Sequence, residues 1–213
     1  MSRLKRKGAR VIIAIPVASS YIYWRTVAGF LELERPAQTE IMFFQGALVD
    51  RARNYLVQQM LDHPMRATHL FFLDSDIVLP SDALMRLLAH KKPIISGLYR
   101  KRLPPFEPMA FTEGRGTFEP ISLKKPTRRL LSVDYVGGGC LLIERNVFKK
   151  LRPPWFVSTL GAKRHLPEDF YFCEKARRVG LKVFVDPSVT PLHLEPMGVT
   201  TDLDGTPEVQ SLI

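Results

Sequence analysis

Two aspartates, Asp74 and Asp76, follow the apolar run Leu70–Leu73 in the segment HLFFLDSDIVLP. This run is typical of a buried strand, which does not tolerate unpaired negative charge. In an extended chain, side chains at i and i+2 point to one side, and ligands of open α/β sheets bind beyond the carboxyl ends of strands. The pair therefore predicts a site for a hard divalent cation. The alternative is that one aspartate caps the next helix and the other is exposed.

A second acidic pair, Glu168 and Asp169, begins the amphipathic segment EDFYFCEKARRVG. A carboxylate at a helix start, beside a long loop, is well positioned to act as a general base. The alternative is that both acids only interact with the helix dipole, a contribution of about 0.3–1 kcal/mol each.

Three further positions have residue types suited to a site. His193 follows the last predicted core strand, where it is either an ordinary structural histidine or a neutral imidazole that completes a metal site. Gly137–Gly139 permit close approach of the backbone to a ligand, but they match neither the dinucleotide pattern nor the Walker phosphate pattern. Arg51 and Arg53, near a helix start, could bind phosphates or a base, or form surface salt bridges.

The segments that must position these residues alternate between apolar strand patterns and helical patterns. Strands are predicted over 9–19, 41–44, 68–76, 93–99 and 181–189, and helices over 48–61, 80–92 and 168–180. Segment 132–151 adds strand, glycines, strand and a short helix. This alternation predicts an α/β fold with a mostly parallel central sheet. The proline-containing segment 100–132 is predicted to be a long loop, of a kind that tends to be functional in compact domains, or a small hairpin excursion. Segment 152–167 is predicted to be a second irregular stretch.

Composition predicts one globular domain, since 46% of the 213 residues are hydrophobic. Its predicted bounds are 9–195, with a basic tail over 1–8 and a C-terminal tail over 196–213. With only two cysteines, the sequence predicts no disulfide framework, which fits a reducing compartment. No apolar stretch is long enough to span a bilayer. Together these two observations predict a cytoplasmic protein.

The formal net charge is +10, and the positive residues are clustered. The clusters comprise Arg3, Lys5, Arg6, Lys7 and Arg10; Lys91, Lys92, Arg100, Lys101 and Arg102; and Lys124, Lys125, Arg128 and Arg129. Such clusters attract nucleic acid, anionic lipid headgroups or phosphorylated substrates, unless they only keep the surface solvated. A basic nucleic-acid-binding module is therefore one alternative, although no recognised binding motif is present.

In their order along the chain, these segments resemble family-2-like glycosyltransferases of the GT-A fold. The resemblance extends from about Ala9 to His193 and rests on IAIPVAS, DRARNYLV, FFLDSDIVLP, PIISGLYRKR, VDYVGGGCLLIERNVF and PEDFYFCEKARRVGLKVFVDPSVTPLH. Each motif is weak by itself, but the series in register is specific. It implies a single GT-A, Rossmann-like domain that transfers a sugar from a UDP- or GDP-linked donor to an acceptor hydroxyl.

The resemblance also implies roles for the acidic residues and the histidine. Asp76 would be a direct ligand of Mn²⁺ or Mg²⁺, Asp74 would contact the ribose or a metal-bound water, and His193 would be a further metal ligand. Asp169 would be the base of an inverting transfer, and Glu168 would position the acceptor or the metal water.

The remaining implied residues would contact the nucleotide sugar. They are Pro16, Ala18, Arg53, Asn54, Ser75, Gly138, Gly139 and Trp155, the last by stacking on a sugar face. Segment 153–167, with Gly161, would be a lid that donor binding orders.

The sequence also departs from parts of this family. The Q-x-x-R-W signature of processive synthases is absent, which favours single transfers. The acceptor, whether a glycan, a lipid-linked molecule or a protein, is not specified; the basic clusters could attract an anionic acceptor or a membrane surface. A haloacid-dehalogenase-like phosphatase also has a D-x-D after an apolar strand, but it expects Gly-Thr or similar just after the second acid, where this chain has Ile77 and Val78.

Overall fold

A computed structural model describes residues 8–18, 22–46, 48–115, 117–123, 127–159, 165–194, 197–201 and 207–211. The predictions about the basic residues in 1–7, about Lys124 and Lys125, and about Gly161 of the lid lie outside these residues. In the described part of the chain, no helix combines the length and the apolar character that crossing a bilayer requires.

Helices and strands alternate along most of the chain. The helices are α1 (Trp24–Leu31), α2 (Val49–Asp62), α3 (Ala83–Ala89), α4 (Arg145–Lys150) and α5 (Glu168–Arg178). The strands are β1 (Arg10–Val17), β2 (Gln38–Gln45), β3 (His69–Leu73), β4 (Ile77–Val78), β5 (Ile94–Gly97), β6 (Ala110–Glu113), β7 (Phe118–Pro120), β8 (Leu131–Val133), β9 (Tyr135–Val136), β10 (Cys140–Glu144), β11 (Val183–Asp186), β12 (Leu192–His193), β13 (Met197–Thr201) and β14 (Pro207–Ser211).

The central sheet contains seven strands in the order β2-β1-β3-β10-β5-β11-β8. β1 is parallel to β2 and β3, and β11 is parallel to β5. β10 is antiparallel to β3 and β5, and β8 is antiparallel to β11. Five of the seven strands therefore share one direction, which confirms the predicted α/β class with a mostly parallel sheet.

Both faces of the sheet are buried, which explains why its inner strands are continuous apolar runs. In β1, Ile12 and Ala14 belong to the core that also contains residues of α2, α4 and α5. Val11 and Ile13 point to the opposite core, which contains residues of α3. Because β1 and β3 are parallel neighbours, their carboxyl ends lie at the same edge of this sheet.

The short β4–β12 pair was not predicted, although it determines where His193 lies. In this antiparallel pair, His193 is opposite Ile77, three residues after Asp74. Two-residue strands have too few residues to show a periodic pattern, so no local pattern predicts this pairing.

The other differences concern smaller elements. α1 was not predicted, and β13 and β14 form an antiparallel hairpin in the segment predicted as a C-terminal tail. In segment 100–132 the predicted hairpin alternative agrees with the antiparallel pair β6–β7, which joins β9 in a separate sheet.

Candidate active site

A cleft of about 150 Å³ lies at the carboxyl ends of β1 and β3, beside the start of α2. Five of the residues that the resemblance implied for donor and cation line this cleft. They are Pro16, Ala18, Asp74, Ser75 and Asp76. Gly46 and Val49 also line it, although neither was predicted, because small and apolar wall residues carry no chemical signal.

The carboxylate of Asp74 is held by the guanidinium of Arg53, which projects from α2. Nη2 of Arg53 lies 2.9 Å from Oδ1 and 3.2 Å from Oδ2 of Asp74. Burial raises the pKa of Asp74, the charges of Asp76 and Glu168 add to this rise, and Arg53 offsets part of it. Additional positive charge in the cleft would therefore stabilise the ionised form of Asp74.

Arg53 also binds the second acidic pair. Its Nε lies 3.2 Å from Oε1 of Glu168, and its guanidinium lies over the ring of Phe72 at 5.0 Å from the centroid. The residue is 2% exposed. A guanidinium this deeply buried requires such compensation. Arg53 connects Asp74 to Glu168 in this structure, and the expectation that it contacts the nucleotide stays a prediction.

The glycines after β9 make room for protein side chains. A Cβ at Gly138 would lie 2.6 Å from Nη2 of Arg53, and a Cβ at Gly139 would lie 3.1 Å from Oδ2 of Asp74. The N–H of Gly139 donates to the hydroxyl of Tyr99 at 3.0 Å, a contact that the sequence did not predict. Arg53 and Tyr99 fill the space beside these glycines, and the expectation that the donor sugar or the acceptor rests against Gly138 and Gly139 stays a prediction.

His193 lies beside Asp76, as the metal-site hypothesis requires. Nε2 of His193 is 3.3 Å from Oδ2 of Asp76, and Nδ1 is 2.8 Å from the carbonyl oxygen of Arg100. Because a carbonyl oxygen only accepts, Nδ1 carries a proton and Nε2 is the nitrogen that faces Asp76.

Positive charge surrounds Asp76. Burial raises its pKa, but hydrogen bonding to His193 and the charges of His193 and Arg102 outweigh burial and lower it. Nη1 of Arg102 lies 3.1 Å from Oδ2 of Asp76. Burial lowers the pKa of His193, and its bonds to Asp76 and the Arg100 carbonyl more than reverse this, so the pKa is raised. Asp76 is thus an ionised carboxylate with a preference for cations.

The chemistry of Asp76 and His193 fits a bound divalent cation. A carboxylate oxygen and an imidazole whose other nitrogen is fixed by a carbonyl form a common ligand set. Among the described residues, no group of three or more His, Cys, Asp or Glu side chains is arranged to hold a metal ion. Mg²⁺ often has only one or two protein ligands, together with substrate phosphates and water. The two side chains therefore fit a cation that binds together with a diphosphate.

Glu168 and Asp169 form the first turn of α5 and are both buried. Oδ2 of Asp169 accepts the N–H of Gly138 at 3.1 Å, and Oδ1 accepts the N–H of Phe170 at 2.8 Å. Burial, with the negative charge of Glu168, raises the pKa of Asp169 to about 7, although Arg53 and both N–H groups act in the opposite direction. A carboxylate that titrates near neutral pH is suited to general base catalysis.

Asn54 has a structural role that the sequence did not reveal. Its Nδ2 donates to the carbonyl oxygens of Asp50 at 2.8 Å and Phe156 at 2.6 Å. Its Oδ1 accepts the N–H groups of Trp155 at 2.8 Å and Phe156 at 3.2 Å. The amide is fully used in fixing the chain after α4, so these bonds do not support the expectation that Asn54 faces the nucleotide, which stays a prediction.

Trp155 is a core residue. It is 4% exposed, and its indole N–H donates to the carbonyl oxygens of Phe148 and Leu151 at 3.0 and 2.7 Å. Its ring meets the ring of Phe148 edge-on. This burial gives no support to the expectation that Trp155 stacks on a sugar, which stays a prediction.

No protein-family model matches the sequence, and no curated protein is significantly similar to it. Solved structures similar to this chain include A197 from STIV, with 16% identity and a TM-score of 0.69 over 94% of each chain. GalNAc-T7 with UDP, GalNAc and Mn²⁺ has 14% identity and a TM-score of 0.64 over 88% of this chain and 44% of that chain. S. aureus TarS with UDP-GlcNAc has 11% identity and a TM-score of 0.55 over 89% of this chain and 59% of that one.

The likeness to these structures is a likeness of fold. This chain spans only about half the length of the GalNAc-T7 and TarS chains. Sequence identities of 11–16% show a shared fold and not a shared activity. The chain has the GT-A fold of glycosyltransferases, as the sequence resemblance predicted.

Proposed function

We propose that this protein is a glycosyltransferase that uses a UDP- or GDP-linked sugar and Mn²⁺ or Mg²⁺, and that it inverts the sugar in single, non-processive transfers. One observation carries the proposal. Two acidic sites of different character, Asp74–Asp76 and Glu168–Asp169, converge on one edge of a GT-A sheet and are linked by Arg53 at 2.9 and 3.2 Å.

The cleft at β1, β3 and α2 would bind the donor. Pro16, Ala18 and Ser75 line its wall, so a nucleotide seated there would meet backbone and small side chains. Asp76 and His193 would hold the cation, and Asp74 would contact the ribose or a cation-bound water. When bound, the cation would neutralise the negative charge that develops on the departing nucleoside diphosphate.

Asp169 would remove the proton from the acceptor hydroxyl. Its raised pKa supports this role because a base is most effective when it titrates near the working pH. Glu168, bonded to Arg53, would keep the first turn of α5 oriented toward the donor side of the site. Inversion follows if the acceptor attacks the anomeric carbon from the face opposite the diphosphate.

The similar structures support the choice of donor and cation. The GalNAc-T7 structure contains UDP and Mn²⁺, and the TarS structure contains UDP-GlcNAc. We extend this chemistry to the present chain on the strength of the Asp76–His193 contact, which supplies suitable cation ligands.

The two alternatives receive less support. A phosphatase nucleophile must be open to phosphate, whereas Asp74 is engaged by Arg53. For nucleic-acid binding, the cations at 100–102 should be available to phosphates, yet Lys101 pairs with Glu107 at 2.6 Å and Arg102 pairs with Asp76.

A donor-consumption assay tests the proposal. Purified protein is incubated with UDP-, GDP- and dTDP-sugars and Mn²⁺, and release of the nucleoside diphosphate is measured with and without candidate acceptors. We expect release from one donor class, abolished by chelator and by Asp76→Asn. Hydrolysis of an aryl phosphate without any reaction of a nucleotide sugar would instead favour the phosphatase.

A further inference from the structure

Oδ2 of Asp76 is shared by two positively charged or protonatable groups. Nη1 of Arg102 lies 3.1 Å from this oxygen, and Nε2 of His193 lies 3.3 Å from the same oxygen. Arg102 therefore occupies the side of Asp76 on which the proposed cation would be coordinated.

The backbone around Arg102 is fixed by two backbone hydrogen bonds that join the two ends of the loop 99–109. The N–H of Met109 donates to the carbonyl of Tyr99 at 2.8 Å, and the N–H of Lys101 donates to the carbonyl of Glu107 at 2.8 Å. The ammonium of Lys101 lies 2.6 Å from Oε2 of Glu107. The loop thus holds the Cα of Arg102 beside the cleft, while its long side chain, 37% exposed, can reorient.

We propose that Arg102 is a donor-binding residue with two positions: it neutralises Asp76 when no donor is bound, and it binds the donor diphosphate when a cation takes its position on Asp76. This inference rests on the proposed function. A guanidinium and a divalent cation repel each other on one carboxylate oxygen, so the cation must displace Arg102. A guanidinium is also the side chain best matched to phosphate oxygens, which would lie beside the cation.

In this arrangement Arg102 has opposite effects on the binding of two ligands, the cation alone and the cation together with a nucleoside diphosphate. The side chain opposes binding of the cation alone because the cation must break the Arg102–Asp76 pair. It favours binding of cation and nucleoside diphosphate together because the released guanidinium gains a phosphate partner. Arg102 thereby makes the site selective for the complete cation–diphosphate complex. If Arg102 had only a structural role, its substitution would weaken the binding of both ligands or of neither.

The first experiment is a titration of the full chain with Mn²⁺ alone, in which electron paramagnetic resonance measures free Mn²⁺. We expect Arg102→Gln to bind Mn²⁺ about fivefold more tightly than the wild type, the change that loss of one competing ion pair gives. Lys149→Gln is the control, since it removes one positive charge from an exposed residue in the last turn of α4 and leaves the loop of Arg102 intact. Unchanged or weaker binding by Arg102→Gln, or equal tightening in Lys149→Gln, would overturn the inference.

The second experiment measures UDP and GDP binding calorimetrically at saturating Mn²⁺. We expect Arg102→Gln to bind the nucleotide about tenfold more weakly than the wild type, with an unchanged melting temperature for the free protein. Nucleotide binding equal to the wild type would refute the diphosphate contact. If the wild type binds neither nucleotide, the proposed function fails, whereas the Mn²⁺ titration still decides whether Arg102 competes for Asp76.

Discussion

Arg53 is a single guanidinium close to three carboxylates, those of Asp74, Glu168 and Asp169. It lowers the pKa of Asp74 and of Asp169 against the effect of burial, and it forms an ion pair with Glu168. One cation does not balance three neighbouring carboxylates, so one of them is held close to its neutral form. Asp169, with a pKa of about 7, is that acid.

The raised pKa of Asp169 predicts the pH dependence of catalysis. Because the ionised carboxylate is the base, kcat/KM should rise with pH through about 7 and level off above it. Asp169→Asn should lower kcat about 10²–10⁴-fold. Glu174→Gln is the control, since Glu174 lies on the same helix and pairs with the exposed Arg178. A rate that does not vary between pH 5 and 9 would argue against Asp169 as the base.

Gly138 predicts a second residue-level effect. In Gly138→Ala, the new Cβ would lie 2.6 Å from Nη2 of Arg53, so the guanidinium must move away from Asp74 and Glu168. We expect a loss of about 1–3 kcal/mol in the free energy of unfolding, together with loss of donor binding. Gly8→Ala, where the Cβ would meet nothing within 4 Å, should change neither quantity. Chemical denaturation and calorimetry measure both, and a Gly138→Ala protein with normal donor affinity would contradict the account.

At the level of elements, α2 connects both halves of the site. Arg53 points to the acids, whereas Asn54, the next residue, points to the chain after α4. Adjacent helical residues differ by about 100° in direction, so they serve different neighbours. The motif DRARNYLV therefore predicted the helix correctly. It could not show that Arg53 connects the acids whereas Asn54 fixes the chain after α4.

Asn54 gives a prediction that distinguishes these roles. Asn54→Ala should lower the free energy of unfolding by about 1–3 kcal/mol, because the backbone groups of Trp155 and Phe156 lose their partner. The donor affinity of the folded protein should stay within about twofold. Gln58→Ala, one turn further along α2, removes only an exposed bond to Asp62 and should be neutral. Selective loss of donor affinity in Asn54→Ala would instead support the expectation of a nucleotide contact.

Short elements explain most of what the sequence could not predict. Asp74 and Asp76 were identifiable because a strand ends at a known edge of a parallel sheet. The position of His193 beside Asp76 depends on the β4–β12 pair, which is too short to leave a pattern. The contact of Arg102 with Asp76 could not be predicted because the two residues are 26 positions apart along the chain. The sequence therefore indicates only that Arg102 belongs to a basic cluster.

On the scale of the whole molecule, the fold was predictable because long apolar strands and amphipathic helices alternate along most of the chain. The central sheet confirms that pattern, including the common direction of five of its strands. The side chains at its edge were less predictable. Whether Trp155 is exposed or buried depends on how α4 and the following chain pack, which no local pattern determines.

In the proposed mechanism, Asp76 and His193 hold a cation together with a nucleoside diphosphate. Calorimetric titration of UDP and GDP, with and without Mn²⁺, measures this directly on the wild type, Asp76→Asn and His193→Ala. We predict that one nucleotide binds the wild type only when Mn²⁺ is present, and that each variant loses at least about tenfold in affinity. Nucleotide binding that is equally tight without Mn²⁺, or unaffected by both substitutions, would contradict the claim.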